Sequence, residues 1–422
     1  TIGSSDAAVA STLVVALNRL AGNRGKIILT GGSLTVSGSR QVTGPSPGTK
    51  LTGSEFIGWG QLGEFEQTGG VHTVESNLYM GIEQHNGYGI NGSGLYTLTG
   101  GGQLSVGGSL TVGYANEATF SMDSGTVTAD ALVVGETGGA NGVADLRTFI
   151  QTGGTVRVNS VTLGKSYPGA TQHNRYEISG EAVLETSALT VGNQRGASNT
   201  FEMTGGTVTV SGIAYVGNYG HNSVVNQSAG TMTITGELRM GYDRHHTYGR
   251  DASGTYNLSG SGVLSVGGKC WVGRYRFGNL NVSGGSATIA GSIEIEHDAA
   301  TWSCRLGCGS VGIQTLARAR VAQSVGLTGS LDRLLPRCGA HHTAAVSTES
   351  SPSSALTEAP VSRFALQVLA KEGLRGRRRV EATAGGKAGG RDILHHQVGG
   401  VRRHDGVPFG EAHDFVLEFL VI

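Results

Sequence analysis

Cysteine is almost missing from this chain: four among 422 residues, and none before Cys270. A disulfide framework is therefore excluded over most of its length. Charge is scarce as well, at 15% of residues with a formal net charge of zero. The balance is uneven, with 16 Lys+Arg against 21 Asp+Glu in residues 1–300 and 15 against 10 in 301–422. Neither part is basic enough to make nucleic acid a principal partner. No apolar run reaches transmembrane length, and the segment after Thr1 does not read as a signal peptide. P-loop, G-x-S-x-G, H-E-x-x-H and calcium-binding nonapeptide patterns are all missing, so no cofactor is implied.

Glycine is what the chain has in plenty: 72 residues. They follow no G-X-Y period, which excludes collagen. Instead they punctuate a phrase that can be read nine times between Phe65 and Ile295: an aromatic, T-G-G-T-V-x-V, then an apolar run ending in Val-Gly. FIQTGGTVRVNSVTLG (149–164) and FEMTGGTVTVSGIAYVG (201–217) show it plainly. The closing glycines Gly81, Gly113, Gly135, Gly164, Gly192, Gly217, Gly241 and Gly273 stand 22 to 32 residues apart. A period in this range marks a solenoid, each repeat being one turn that needs its neighbours to bury its apolar face.

Within the phrase apolar residues alternate, which is strand periodicity. The first strand puts Phe65, Tyr96, Phe120, Phe149, Tyr176, Phe201 and Tyr256 at one position, with Val225 and Leu280 filling it in two turns. Two residues on stand Gln67, Leu98, Met122, Gln151, Ile178, Met203, Gln227, Leu258 and Val282. A glycine corner and two more short strands complete the turn. The fold class expected is all-β: a parallel β-helix of about ten turns, three short strands per turn, with its aromatics stacked as an internal ladder.

Residues 1–25 are expected to cap the rod, with an amphipathic helix over Asp6–Leu20 and a strand at Thr12–Leu17 as the competing reading. The repeat domain spans 26–296. Loops 81–113 and 241–273 are related, sharing His85/His245, Tyr88/Tyr248 and Gly89/Gly249, as an internal duplication would produce. The segment 297–422 is a basic, non-repeat tail. From Thr301 onward it has no Asn, Tyr or Met, and Arg outnumbers Lys 13 to 2. A change of reading frame in GC-rich DNA produces that loss; a disordered basic region is the alternative.

Two outward columns carry chemistry. Glu177 and Glu202 are adjacent in the first strand's outward column, where a carboxylate pair would serve glycosidic cleavage; solvated surface glutamates are the plain alternative. Tyr215, Arg239, Trp271 and Glu294 follow one another in the third strand's outward column. Aromatics with a guanidinium and a carboxylate suit a carbohydrate ligand, although aromatics are common on any β surface. Loop residues His221, His245 and His246 form at most a weak metal set, Cys270 occupies an inward Leu position, and the tail set Cys304, Cys308, Cys338, His341 and His342 is discounted as zinc-binding.

FEMTGGTVTVSGIAYVG and YTLTGGGQLSVGGSLTVG resemble repeats of large secreted bacterial proteins: autotransporter-type passenger rods and exported proteins with a PEP-type sorting signal. The resemblance covers about 65–295 and implies an exported, surface-associated parallel β-helix. No catalytic residue is carried over from it. The expected function is a noncatalytic extracellular structural or adhesive rod at a bacterial surface, with an extracellular polysaccharide or a host or cell-surface glycan as partner. A β-helix polysaccharide lyase or hydrolase is the rival.

Overall fold

The computed structural model describes residues 1–16, 24–43, 50–82, 92–136, 146–165, 172–193, 197–220, 222–242, 252–274 and 277–295, and beyond these only short strands between 303 and 421. The repeat folds as a parallel β-solenoid. Each turn contributes one strand to each of three parallel ladders. In one turn these are Leu146–Gln151 and then Thr155–Leu163, a single long strand that bends from the second ladder into the third. The first ladder runs in unbroken register from Arg24–Leu29 through Leu62–Gln67, Ser93–Leu98 and their successors to Phe277–Val282.

The corner that ends the third strand needs left-handed backbone. All eight closing glycines have positive φ, from 62° at Gly241 to 81° at Gly192. Glycine adopts that region without a Cβ penalty. At Gly135 a Cβ would also collide with the Asn174 side chain. Asn174 Nδ2 donates to Asn199 Oδ1 at 2.9 Å along this inner corner.

The expected aromatic ladder is present. Phe65, Tyr96, Phe120, Phe149, Tyr176 and Phe201 stack turn on turn with ring centroids 4.7 to 5.0 Å apart. Each contact adds about 0.5–1.5 kcal/mol beyond area burial. Val225 interrupts the stack before Tyr256.

Where it is described, the N-terminus is strand and not helix, as the competing reading at Thr12–Leu17 had it. Ala7–Ala10 and Leu13–Val15 are strands, pairing in parallel with Ser33–Val36 and Glu55–Trp59, and Ile2 bridges Leu29. These residues form a first turn of the rod. Parallel pairing satisfies the backbone of Val9, Val14 and Val15, β-branched residues that favour strands over helix. Between the second and third ladders of the next turn, Arg40–Thr43 and Lys50–Gly53 make an antiparallel hairpin. Its Leu51 buries with Phe56, Ile82 and Tyr114 outside the main core, against Trp59 and Tyr79.

At the other end Ser303–Leu306, Gln314–Thr315 and Arg318–Ala322 extend the three ladders by one rung. An open edge offers N–H and C=O groups to whatever chain follows, whatever its side-chain pattern. Thr343–Glu349 adds one more parallel strand against Arg318–Ala322, pairing then turns antiparallel with Phe364–Leu369, and the solenoid ends.

Candidate ligand-binding face

The third ladder's last turns place the candidate residues side by side. Strands Ala214–Val216, Leu238–Met240, Cys270–Val272 and Ile293–Ile295 are paired so that Tyr215 faces Arg239, Arg239 faces Trp271, and Trp271 faces Glu294. Alternation sends Leu238 and Met240 into the core and Arg239 outward. Cys270 is a fully buried thiol in register with Leu238 and Ile293.

Glu237 and Lys269, the residues immediately before two of these strands, join the same face. Glu237 Oε2 is the hub: it accepts from Arg239 Nε at 2.8 Å and Trp271 Nε1 at 3.2 Å, and lies 2.7 Å from Arg239 Nη2. Arg239 Nη1 donates to the Tyr215 hydroxyl at 2.9 Å. Partial burial opposes the Arg239 charge, but the hydrogen bond to Glu237 and the surrounding Coulomb attraction outweigh it, so its pKa lies above the ordinary arginine value. Glu294 Oε1 is held by Lys269 Nζ at 2.7 Å and by the Ser292 hydroxyl at 2.8 Å.

Cations also cover the rings. Arg274 lies 3.9 Å from the Trp271 centroid and Lys269 lies 5.0 Å from it, while Arg239 sits 5.0 Å from the Tyr242 ring. Trp271 is consequently only 7% exposed. The face therefore presents a mixed charge lattice, with three cations and two carboxylates among Arg239, Lys269, Arg274, Glu237 and Glu294. A sugar would meet hydrogen-bonding groups first, and stacking on Trp271 would require Arg274 to move.

Glu177 and Glu202 also lie in register on adjacent turns. Glu177 pairs with Arg175 Nε at 2.9 Å, a cation from the column two residues earlier that the reading of a single column overlooked. Glu202 ends a one-way amide ladder: Asn226 donates to Glu202 at 3.0 Å, Asn257 to Asn226 at 2.8 Å, and Asn281 to Asn257 at 2.8 Å.

His221, His245 and His246 lie outside the described residues, as do the side chains of the tail cysteines and histidines. Among the described residues no group of three or more His, Cys, Asp or Glu is placed to hold a metal.

Sequence reading missed a polar network inside the rod. Gln67 Nε2 donates to the carbonyls of Gly70 and Gln103, at 3.1 and 3.0 Å, while its Oε1 accepts from the Tyr96 hydroxyl at 2.6 Å. The arrangement recurs at Gln151 with Tyr176 and at Gln227 with Tyr256. Where the preceding turn has an apolar residue instead, as at Leu98, Met122 and Ile178, the next ring is a phenylalanine. Only at the first of these three sites does an ionisable pair join. His72 Nδ1 lies 2.9 Å from the Tyr96 hydroxyl and His72 Nε2 lies 2.9 Å from Glu55 Oε2, all fully buried.

No protein-family model, no curated protein and no solved structure matches the chain.

Proposed function

We propose that this protein is a noncatalytic extracellular rod at a bacterial surface, structural or adhesive, that engages glycans through its C-terminal third face. The observation that carries the reading is the in-register run Tyr215–Arg239–Trp271–Glu294, in which four successive turns line up aromatic, cationic and carboxylate groups. Tyr79, in the same column five turns before Tyr215, instead packs against the apolar cluster that holds the hairpin. Resemblance of the repeat phrases to secreted bacterial rods supports the extracellular setting. The test is binding of the purified protein to an immobilised panel of neutral and acidic polysaccharides. Binding that Arg239→Ala and Lys269→Ala weaken, with the circular dichroism unchanged, is the expected result; binding that neither variant alters would overturn the assignment of this face.

A second reading has its own observation. Glu177 and Glu202 sit in register on adjacent rungs, whose backbones are roughly 4.8 Å apart, and Arg175 pairs with Glu177; retaining glycosidases use two carboxyls about 5–5.5 Å apart. A polysaccharide lyase or hydrolase would release new reducing ends or unsaturated products, and Glu177→Gln or Glu202→Gln would abolish the release. Intact polysaccharide after prolonged incubation would dismiss this reading.

A further inference from the structure

A shallow groove of about 370 Å³ runs across successive turns at the corner between the second and third ladders. It exists because Thr126–Val134, Thr155–Leu163 and Val183–Val191 each pass from one ladder to the next as a single bent strand, with no loop to fill the corner. Its floor is small: Ala129, Val158 and Thr186, aligned by the second-ladder register. One wall is the Arg157–Glu185 pair, and the other consists of the short polar residues Asn159, Ser187 and Ser211.

These walls hold the groups that recognise hydroxyls. Arg157 Nε donates to Glu185 Oε2 at 2.8 Å, and both side chains remain about half exposed, at 54% and 46%. That bond uses one of the five N–H donors of a guanidinium and one of the two carboxylate oxygens. A guanidinium fork beside a carboxylate can bind two neighbouring hydroxyls at once, one as acceptor and one as donor. Asn159, oriented by its 2.7 Å hydrogen bond to Asp130 Oδ1, adds an amide carbonyl on the opposite wall. The charges of the Arg157–Glu185 wall cancel, and no aromatic lines the groove. The volume lies within the range of small-molecule sites.

We propose that this groove is a binding site for a neutral oligosaccharide whose chain lies along the rod axis. Successive turns are about 4.8 Å apart, close to the advance of an extended β-linked sugar chain per residue, so neighbouring sugars meet equivalent positions on neighbouring turns. The Arg157–Glu185 pair takes the vicinal hydroxyls of one sugar, and Ser187 and Ser211 bond the next. The site is separate from the third-face run and stands without it.

Isothermal titration of the full chain with cellopentaose, xylopentaose and chitopentaose, and with a tetragalacturonate as the acidic comparator, tests the proposal. Saturable binding of at least one neutral probe is expected. Arg157→Ala and Glu185→Ala should each weaken it roughly tenfold or more through loss of charge-assisted hydrogen bonds. Ser187→Trp, which fills the groove without removing a charge, should abolish binding there. No saturable binding of the neutral probes, binding of the acidic probe alone, or neutral binding that survives Ser187→Trp would each overturn it. Binding lost in Trp271→Ala but kept in Ser187→Trp would move the glycan to the third face and refute the groove alone.

Discussion

Gln67, His72 and Tyr96 each have a counterpart 160 residues later, at Gln227, Met232 and Tyr256. In both places the glutamine bonds two corner carbonyls and accepts the tyrosine hydroxyl of the next turn. The third partner differs. Tyr256 meets Met232 Sδ at 3.4 Å, whereas Tyr96 meets His72, and His72 in turn meets Glu55. The ladder position that holds Glu55 is taken by Ala214 in the later copy, since Glu55 pairs with Leu78 as Ala214 pairs with Leu238. One device thus tolerates an ionisable or an apolar neighbour. The Tyr96 hydroxyl donates its one proton to Gln67, which leaves its lone pairs toward His72 Nδ1, while Glu55 Oε2 lies 2.9 Å from His72 Nε2.

The comparison breaks most sharply at the charged copy. Removing one partner strands the other in the core, so Glu55→Ala or His72→Met alone should cost about 3–5 kcal/mol in urea unfolding. Making both changes transplants the apolar version, and that double variant should match or exceed the parent, by up to roughly 4 kcal/mol. A double variant as unstable as the singles would mean that the pair contributes net stability.

A smaller effect is expected at the shared part. Gln227→Met leaves the Tyr256 hydroxyl only the Met232 sulfur and takes the amide donor from two carbonyls, which costs about 1–3 kcal/mol. Adding Tyr256→Phe should recover part of this, because Met122 followed by Phe149 is a pairing the rod already uses. Failure of the second change to recover anything would show that the carbonyls, not the hydroxyl, dominate.

High pH probes the region outside the core. Burial first, then the nearby Glu136 charge, pushes the Tyr79 and Tyr114 pKa values up to about 12. The native state thus holds these protons more tightly than the unfolded chain, where tyrosine titrates near 10. Their stabilising contribution is complete below about pH 10 and fades as pH rises through about 12. Tyrosinate absorbance and amide exchange followed together should show the Leu51–Phe56 cluster opening in that window. The smallest change is expected at the rim of the C-terminal face: Lys269 is 45% exposed, and Lys269→Ala should cost no more than about 1 kcal/mol.

The inward positions were legible because strand alternation is local. Phe120 and Met122 identify their own side of the strand, and the glycine after each Val marks a left-handed corner. The coupling of glutamine to a following tyrosine is also written in the columns, visible when residues one turn apart are read as pairs. Glu55 was not legible, because it precedes the clear repeats and only its register with Leu78 reveals it as inward. At the N-terminus the strand reading of Thr12–Leu17 prevails over the helix, because neighbouring rungs pair with Val9, Val14 and Val15. Of the candidate sites, the third-face run was found by counting along one column. Glu237, Lys269 and Arg274 were missed because they come from other columns and from the corner.

Period, strand type, corner positions and the inside–outside division follow from the sequence alone, since each depends on residues within one turn. Which outward side chains meet was decided by the tertiary structure. Loops of unequal length separate the turns, so Arg157 reaches Glu185 across 28 residues and Trp271 reaches Glu237 across 34. Contacts of that kind exist only once the ladders have brought the turns together.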